Sequence, residues 1–365
     1  MKTTFVYGTF ALILGAGPAG CAAAITLARA GARPLLIDRD AAPRDPLCGG
    51  FLSWRTAERL AALGIEVAAL GAQRVEELAI HHGAQSARVR LPGPSWGLSR
   101  HALDSALRRV ALAQGADLAV ERIRRIDGPA VYGESREWRA DSVFLASGKH
   151  DLPGAGRPRP DADPALGLRL RLPPDPVRTR LIGNRIELHL FRQGYAGIVL
   201  QEHGGANVCL ALRKSLLGRA GAAPRALLAR LAAENPAFAA RLEGMPSDAA
   251  IESIGAVPYG WIARETCPGR FRLGDQAAVV PSLAGEGIAF ALASGTRAAR
   301  AWLDGGPAAA PYYQRDFARR ARLPVALAGL LWRQAERDAG ARWIAASAAR
   351  WPALARIAAR LTRIA

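Results

Sequence analysis

Ala11-Leu12-Ile13-Leu14-Gly15-Ala16-Gly17-Pro18-Ala19-Gly20 is the stretch whose reading decides the fold. An apolar run of strand type leads into glycines spaced G-x-G-x-x-G, and a helical pattern follows from Cys21 to Ala30. Leu35-Leu36-Ile37-Asp38 then reads as a second strand, ending on an acid 18 positions after Gly20. Alone, G-x-G-x-x-G is a weak signal; between two strands and opening a helix, it is the βαβ unit of a dinucleotide site. Gly15, Gly17 and Gly20 let the backbone approach a pyrophosphate, whose charge the amides opening the helix stabilise. Asp38 is placed to accept hydrogen bonds from an adenosine ribose, and Arg39 beside it joins the expected cofactor-binding residues.

NAD and FAD both satisfy a glycine fingerprint plus an acid, so a second segment has to choose between them. Gly274-Asp275 follows Phe271-Arg272-Leu273 and precedes Pro281-Ser282-Leu283-Ala284-Gly285-Glu286-Gly287. A lone G-D is also an ordinary turn. In a chain that already carries the first motif, it resembles the ribityl-binding motif of flavoproteins of the p-hydroxybenzoate hydroxylase fold. That resemblance implies that Asp275 holds ribityl hydroxyls. It also implies that the helix opening after Gly285 and Gly287 points its positive end at the isoalloxazine, which favours the anionic reduced ring. FAD, bound non-covalently, is the expected cofactor, with NADPH or another donor as the source of electrons.

Three more stretches extend the resemblance from about residue 11 to residue 300. Pro43-Arg44-Asp45-Pro46-Leu47-Cys48-Gly49-Gly50 is similar to the segment that brings a Cys-Gly pair to the flavin ring. This adds Arg44 and Gly49 to the cofactor residues and makes Cys48 the candidate catalytic group. Leu98-Ser99-Arg100-His101-Ala102-Leu103-Asp104 is similar to the family's S-R-x-x-L-D helix start, whose arginine sits near the cofactor phosphates. Val257-Pro258-Tyr259-Gly260-Trp261-Ile262 resembles the Y-x-W-x-F-P substrate motif of geranylgeranyl reductases, which implies substrate binding by Tyr259 and Trp261. Two departures stand out. Ala263-Arg264 replaces Phe-Pro, and Ala146-Ser147-Gly148-Lys149-His150-Asp151 stands where aromatic hydroxylases carry a D-G motif.

Composition narrows the class further. At 365 residues, 50% hydrophobic and 22% charged, the chain can bury a large core and is globular. The net charge of +18 invites a nucleic-acid reading, but only Lys2, Lys149 and Lys214 are lysines. Arginine with abundant alanine is what a GC-rich coding bias produces. No aromatic-basic repeat accompanies it, so no nucleic-acid partner is expected. Cys21, Cys48, Cys209 and Cys267 show no C-x-x-C spacing, which points to a reducing cytoplasm without zinc or disulfides. The six histidines show no ligand spacing either, so no metal is expected. Lys2 and the apolar run after it imitate a signal peptide, yet that run contains the glycine fingerprint. Residues 1–9 read as a loose extension.

The expected fold class is α/β: a Rossmann-like FAD-binding domain interleaved with an antiparallel-sheet substrate domain and a helical C-terminal tail. The FAD-binding domain takes residues 1–75, 98–159 and 257–305; the substrate domain takes 76–97 and 160–256; the tail is 306–365. Leu168-Arg169-Leu170-Arg171-Leu172 and Ile186-Glu187-Leu188-His189-Leu190 alternate with period two, as half-exposed antiparallel strands do. A helical insert spans about 224–242. The tail reads as helix interrupted at Pro324 and Pro352, rich in arginine. After Pro352, Leu354, Ile357, Leu361 and Ile364 share a face opposite Arg356, Arg360 and Arg363. That face either packs on the body, the favoured reading, or lies in a membrane interface as a peripheral contact on the inner leaflet.

The functional expectation is a FAD-dependent oxidoreductase, an enzyme acting on an apolar prenyl or polyketide lipid-like substrate, with C=C reduction favoured. Hydroxylation of an aromatic or polyketide substrate by a FAD-dependent monooxygenase is the near alternative. A non-catalytic lipid-binding protein on the same fold is a third, disfavoured by the intact glycines, Asp38 and Asp275. Cys48 reads equally as a thiol facing the flavin or as a small loop residue, and Tyr259 and Trp261 share strand parity.

Overall fold

The structure, a computed structural model, describes residues 5–158 and 162–364, with side chains from residue 11 onward. The chain opens with β1 (Phe5–Leu14), α1 (Pro18–Arg29), β2 (Leu35–Asp38), β3 (Phe51–Leu52) and α2 (Trp54–Ala62). A long hairpin, β4 (Gln73–His82) and β5 (Gln85–Gly97), leads to α3 (Arg100–Ala113). Next come β6 (Asp117–Val120), β7 (Ile123–Asp127), β8 (Ala130–Gly133), β9 (Glu137–Leu145) and β10 (Ala165–Leu172). They are followed by α4 (Pro176–Ile182), β11 (Arg185–Phe191), β12 (Gly194–Leu200), β13 (Ala206–Arg213) and α5 (Lys214–Gly218). After α6 (Pro224–Glu234), α7 (Pro236–Leu242), β14 (Ile251–Val257) and β15 (Arg270–Arg272), four long helices end the chain. These are α8 (Gly287–Gly305), α9 (Ala310–Ala335), α10 (Asp338–Arg350) and α11 (Pro352–Leu361).

Two sheets organise these elements. The first has order β6-β2-β1-β9-β8-β7, with β15 also paired to β9. Its centre is parallel, β1 lying between β2 and β9. Ala11 to Leu14 are buried, as expected for a parallel strand covered on both faces. α1, α3 and α8 supply apolar side chains to the core cluster on that sheet. The second sheet has order β14-β10-β13-β12-β11-β4-β5-β3 and is antiparallel except where β11 runs parallel to β4. One face of β10 and β13 buries Leu168, Leu170, Leu172, Val208, Leu210 and Leu212 with the helices α6 and α7.

Several boundaries differ from the sequence reading, each for a local reason. β1 begins at Phe5, where parallel pairing with β9 (Phe5 opposite Glu137) orders backbone expected to be loose; residues 1–4 lie outside the described residues. α1 starts at Pro18 rather than Cys21, because proline at a helix start gives up an N–H that has no intrahelical partner there. The helical insert breaks at Asn235, the residue before Pro236, which is pushed to an extended conformation. Pro324 does not interrupt the tail: α9 runs through it, with Ala321, Pro324 and Val325 buried on the body. Pro352 does end a helix. The strand ends at Val257, and Tyr259-Gly260 form a turn with Gly260 at φ +90°, so Tyr259 and Trp261 do not share a strand face.

Candidate active site

The first glycine segment is shaped by close contact. Gly15 sits at φ +112°, where a Cβ would lie 2.4 Å from the carbonyl oxygen of Ala146. A Cβ on Gly20 would lie 1.9 Å from the oxygen of Gly15, so Gly20 faces the loop rather than the open groove. Both glycines permit the turn that aims the start of α1 into the groove. Asp38, at the end of β2, accepts from the Ala16 N–H at 2.7 Å and from the Asp40 N–H at 3.0 Å. Its carboxylate therefore ties the glycine turn to the second strand, with Arg108 at 3.6 Å.

Ser99 caps α3 by accepting from the Ala102 N–H, which places Arg100 at the helix start. Arg100 grips Asp104 through Nε (2.8 Å) and Nη2 (2.7 Å). A Cβ on Gly17 would stand 3.6 Å from Arg100 Nη2, so this cation borders the glycine turn. Burial alone would lower the Arg100 pKa, but the Asp104 carboxylate raises it, and the guanidinium stays charged beside the groove.

The loop carrying Cys48 is pinned from three sides. Asn207 on β13 donates to the carbonyls of Cys48 (3.0 Å) and Gly49 (2.8 Å), and Lys149 Nζ donates to Leu47 O at 3.0 Å. Arg169 on β10 donates to Pro46 O at 3.0 Å, and Asp45 caps α3 by accepting from the Arg100 N–H at 3.0 Å. Arg169 and Arg171 were expected on a half-exposed face; Arg169 is buried because that face covers the loop instead of meeting water.

On the opposite side, Gly274 has φ +55° and donates its N–H to Ser294 Oγ of α8 at 2.7 Å. Arg157, buried, donates to the Asp275 carbonyl at 3.0 Å and to Lys149 O at 2.7 Å. Among the described residues no hydrogen bond reaches the Asp275 carboxylate, which lines the groove. The Pro281–Gly287 loop then carries Glu286 into the interior. Burial lifts its carboxyl to about 7, opposed first by the Arg363 guanidinium and also by the nearby Ser53 and Arg59. Arg363 Nε lies 2.8 Å from Glu286 Oε1, and Arg59 donates to Ile364 O at 2.9 Å. The segment just beyond α11 is thereby fastened to the glycine loop that opens α8.

One continuous cavity of about 1480 Å³ joins these parts. Gly15, Gly17, Asp38, Arg39, Arg44, Cys48, Gly49, Arg100, Gly274, Asp275, Gly285, Gly287 and Tyr259 all line it. Arg39 and Arg44 are at its rim, each paired with Asp40. Gly20 and Trp261 do not line it. Trp261 is half-buried to one side, because the turn at Gly260 separates it from Tyr259. Part of the same cavity is an apolar chamber walled by Leu78, Ile80, Leu188, Leu190, Ile344 and Ala348. Ser282 Oγ links two tyrosines there, at 2.8 Å from Tyr195 Oη and 2.7 Å from Tyr259 Oη. Burial raises both phenol pKa values, so the trio is neutral. Cys209 also lines the cavity, its thiol pushed up to about 12 by burial.

Tyr195, Arg157, Asn207 and the chamber wall from α10 and α11 were not found from the sequence; only folding brings them together, and no local motif marks them. Ser282 lies in the Pro281–Gly287 segment read from the sequence, where no role was assigned to it. A further cluster was missed for the same reason. The parallel pairing of β11 with β4 sets His189 opposite His81, and Glu187 joins them. Sequence spacing had shown no ligand set, although Glu187-x-His189 is one half of it. Arg241 occupies both carboxylate oxygens of Glu187, at 2.9 Å and 2.8 Å. Glu187 keeps its charge despite burial, its pKa held down by His189, His81 and Arg241. The arrangement is a buried ion pair flanked by stacked imidazoles, whose centroids are 4.6 Å apart.

Residues 9–124 match the FAD binding domain family. A menaquinone reductase of Mycobacterium tuberculosis is 34% identical over 142 residues, which are 38% of this chain and 34% of that protein. The match spans about a third of that relative's length. Among solved structures, the flavin-dependent brominase Bmp2 superposes with a TM-score of 0.81 at 17% identity, covering 98% of this chain and 93% of the other. Pseudomonas aeruginosa PqsL, solved with 2-aminobenzoylacetate, gives 0.75 at 18% identity, covering 92% and 99%. Gly49 and Gly287, which face open space where a Cβ would stand, and the open Asp275 carboxylate fit FAD. Residues 9–124 therefore resemble a FAD binding domain, and the chain as a whole takes the fold of these flavin-dependent structures.

Proposed function

We propose that this protein reduces a carbon-carbon double bond in an apolar, extended substrate of prenyl or polyketide type. The observation that carries the reading is the apolar chamber continuous with the cofactor groove, bordered by the Cys48 loop and by the Tyr195–Ser282–Tyr259 hydroxyls. Gly15, Gly17 and Arg100 would hold the pyrophosphate of FAD, Asp38 its adenosine ribose and Asp275 its ribityl chain. Gly49, Gly285 and Gly287 would border the ring. When bound, FAD supplies the two-electron chemistry.

The chain's own part is positional and protonic. Hydride arrival at one alkene carbon leaves the other carbon to be protonated, and Cys48 Sγ is the proposed donor. The hydroxyl trio offers neutral donors to a polar end of the substrate, while the aliphatic wall excludes water from the reacting carbons. Four free cysteines fit a reducing, cytoplasmic setting.

Hydroxylation is the second reading, favoured by the same walled chamber, since an oxygen-dependent reaction also needs water kept out. Anaerobic photoreduction of the holoprotein followed by a polyprenyl substrate separates the two. Reoxidation without oxygen, with product heavier by two hydrogens, supports reduction. No reaction until labelled O₂ is added, with one labelled oxygen in the product, supports hydroxylation.

A further inference from the structure

We infer that α10 and α11 seat the protein on an anionic bilayer surface, and that the chamber opens onto that surface so that substrate enters from the lipid. The entry step rests on the proposal that the substrate is apolar; the docking face rests on the helices alone. Trp343, Trp351 and Leu354 are 63%, 53% and 57% exposed, yet the same three side chains line the cavity. The rim of the chamber is therefore apolar and turned outward. Ile357 and Leu361 continue the exposed strip along α11, and Leu323 and Leu330 lie exposed on α9.

This outcome reverses the expectation that the α11 face packs on the body. Ile364 alone of that face is buried, and Arg363 turns inward to Glu286. None of the ten residues of α11 is fully buried, and from it only Ala355 packs against a core cluster, so the helix has little of the apolar burial that ordinarily holds an amphipathic helix in place. A lipid interface supplies that burial. The charge fits an anionic one: Arg356 and Arg360 are exposed on the polar side of α11 and Arg350 at the end of α10, with no acidic partner among the described residues. Arginine near an anionic surface adds attraction at each position, and apolar side chains between them enter the acyl boundary. Among the described residues no helix is long and apolar enough to cross a membrane, so the contact is with the surface.

The test is flotation of the FAD-loaded protein with phosphatidylcholine vesicles, with and without phosphatidylglycerol. Binding is expected to the anionic vesicles and to fall with salt. I357S/L361S and R356E/R360E are expected to lose about tenfold or more of the bound fraction. Neither pair lies in the chamber wall, so turnover of a water-soluble short-chain alkene should stay unchanged while turnover of a long-chain alkene held in vesicles falls. No flotation of yellow protein, or a stable dimer in sedimentation that I357S/L361S dissociates, overturns the docking face. Unchanged turnover of the vesicle-held alkene in both variants overturns entry from the lipid. Salt-sensitive flotation with no turnover of either alkene would uphold the docking face and overturn the proposed function instead.

Discussion

Asp38 is bound by the protein on both carboxylate oxygens, which makes it a structural clasp as well as the proposed ribose partner. Asp38→Ala should weaken FAD binding by roughly 10–100-fold, the worth of a charge-assisted hydrogen bond at about 1.5–3 kcal/mol. The spectrum of the bound flavin should not shift, and titration of apoprotein with FAD measures both. Gly20→Ala should be worse, because the new Cβ would meet backbone rather than a movable side chain. Cys48→Ser makes the opposite claim. FAD content should be unchanged while anaerobic reoxidation by substrate slows roughly 10²–10⁴-fold, the usual cost of losing a general acid. Stopped-flow absorbance reads that rate, and unaltered reoxidation would reduce Cys48 to a packing role.

β11, β4 and α7 meet at the Glu187–Arg241 pair, whose two side chains are almost wholly enclosed. Arg241→Leu strands a buried carboxylate and should cost about 3–5 kcal/mol of unfolding free energy in urea titration. Glu187→Leu with Arg241→Leu should recover much of that loss, because no buried charge is then left unpaired. Glu187 holds its pKa below the ordinary carboxylate range, so its contribution is present at neutral pH and lost as pH falls. Nothing in the sequence announces this pair. Residues 187 and 241 lie on elements whose contact depends on the second sheet being assembled, and charge on a strand reads equally as solvent exposure. The βαβ start was legible because its signal is local: run, glycines, helix, strand and acid all fall within Ala11–Asp38. Tyr259 and Trp261 failed as a pair for a local reason too, since parity arguments assume an unbroken strand and Gly260 turns the chain.

Across the whole molecule, Glu286 couples the α8 loop to the segment beyond α11, through Arg363 and Arg59 on α2. Its carboxyl is raised to about 7, chiefly by burial, so the folded state binds a proton that the unfolded state has released. That stabilisation is full below the ordinary carboxylate pKa, about 4.3, and is lost as pH rises through about 7. Glu286→Gln should flatten this fall in the melting temperature of the holoprotein, with its largest gain above pH 7. Calorimetry across pH 5–8.5 is the check, and parallel slopes in both proteins would contradict it.

The bare surface of α11 also sets a clock. A helix with no fully buried residue, joined to α10 through Trp351 and held beyond its other end by Arg363, is expected to open at far less free energy than the sheet it covers. In hydrogen–deuterium exchange its amides should label within seconds, whereas those of β1 and α8 hold their protons until the whole domain unfolds. The cofactor groove and the substrate chamber share one cavity. Exchange at those two rates would mean that the outer wall of the chamber opens many times while a single cofactor stays bound.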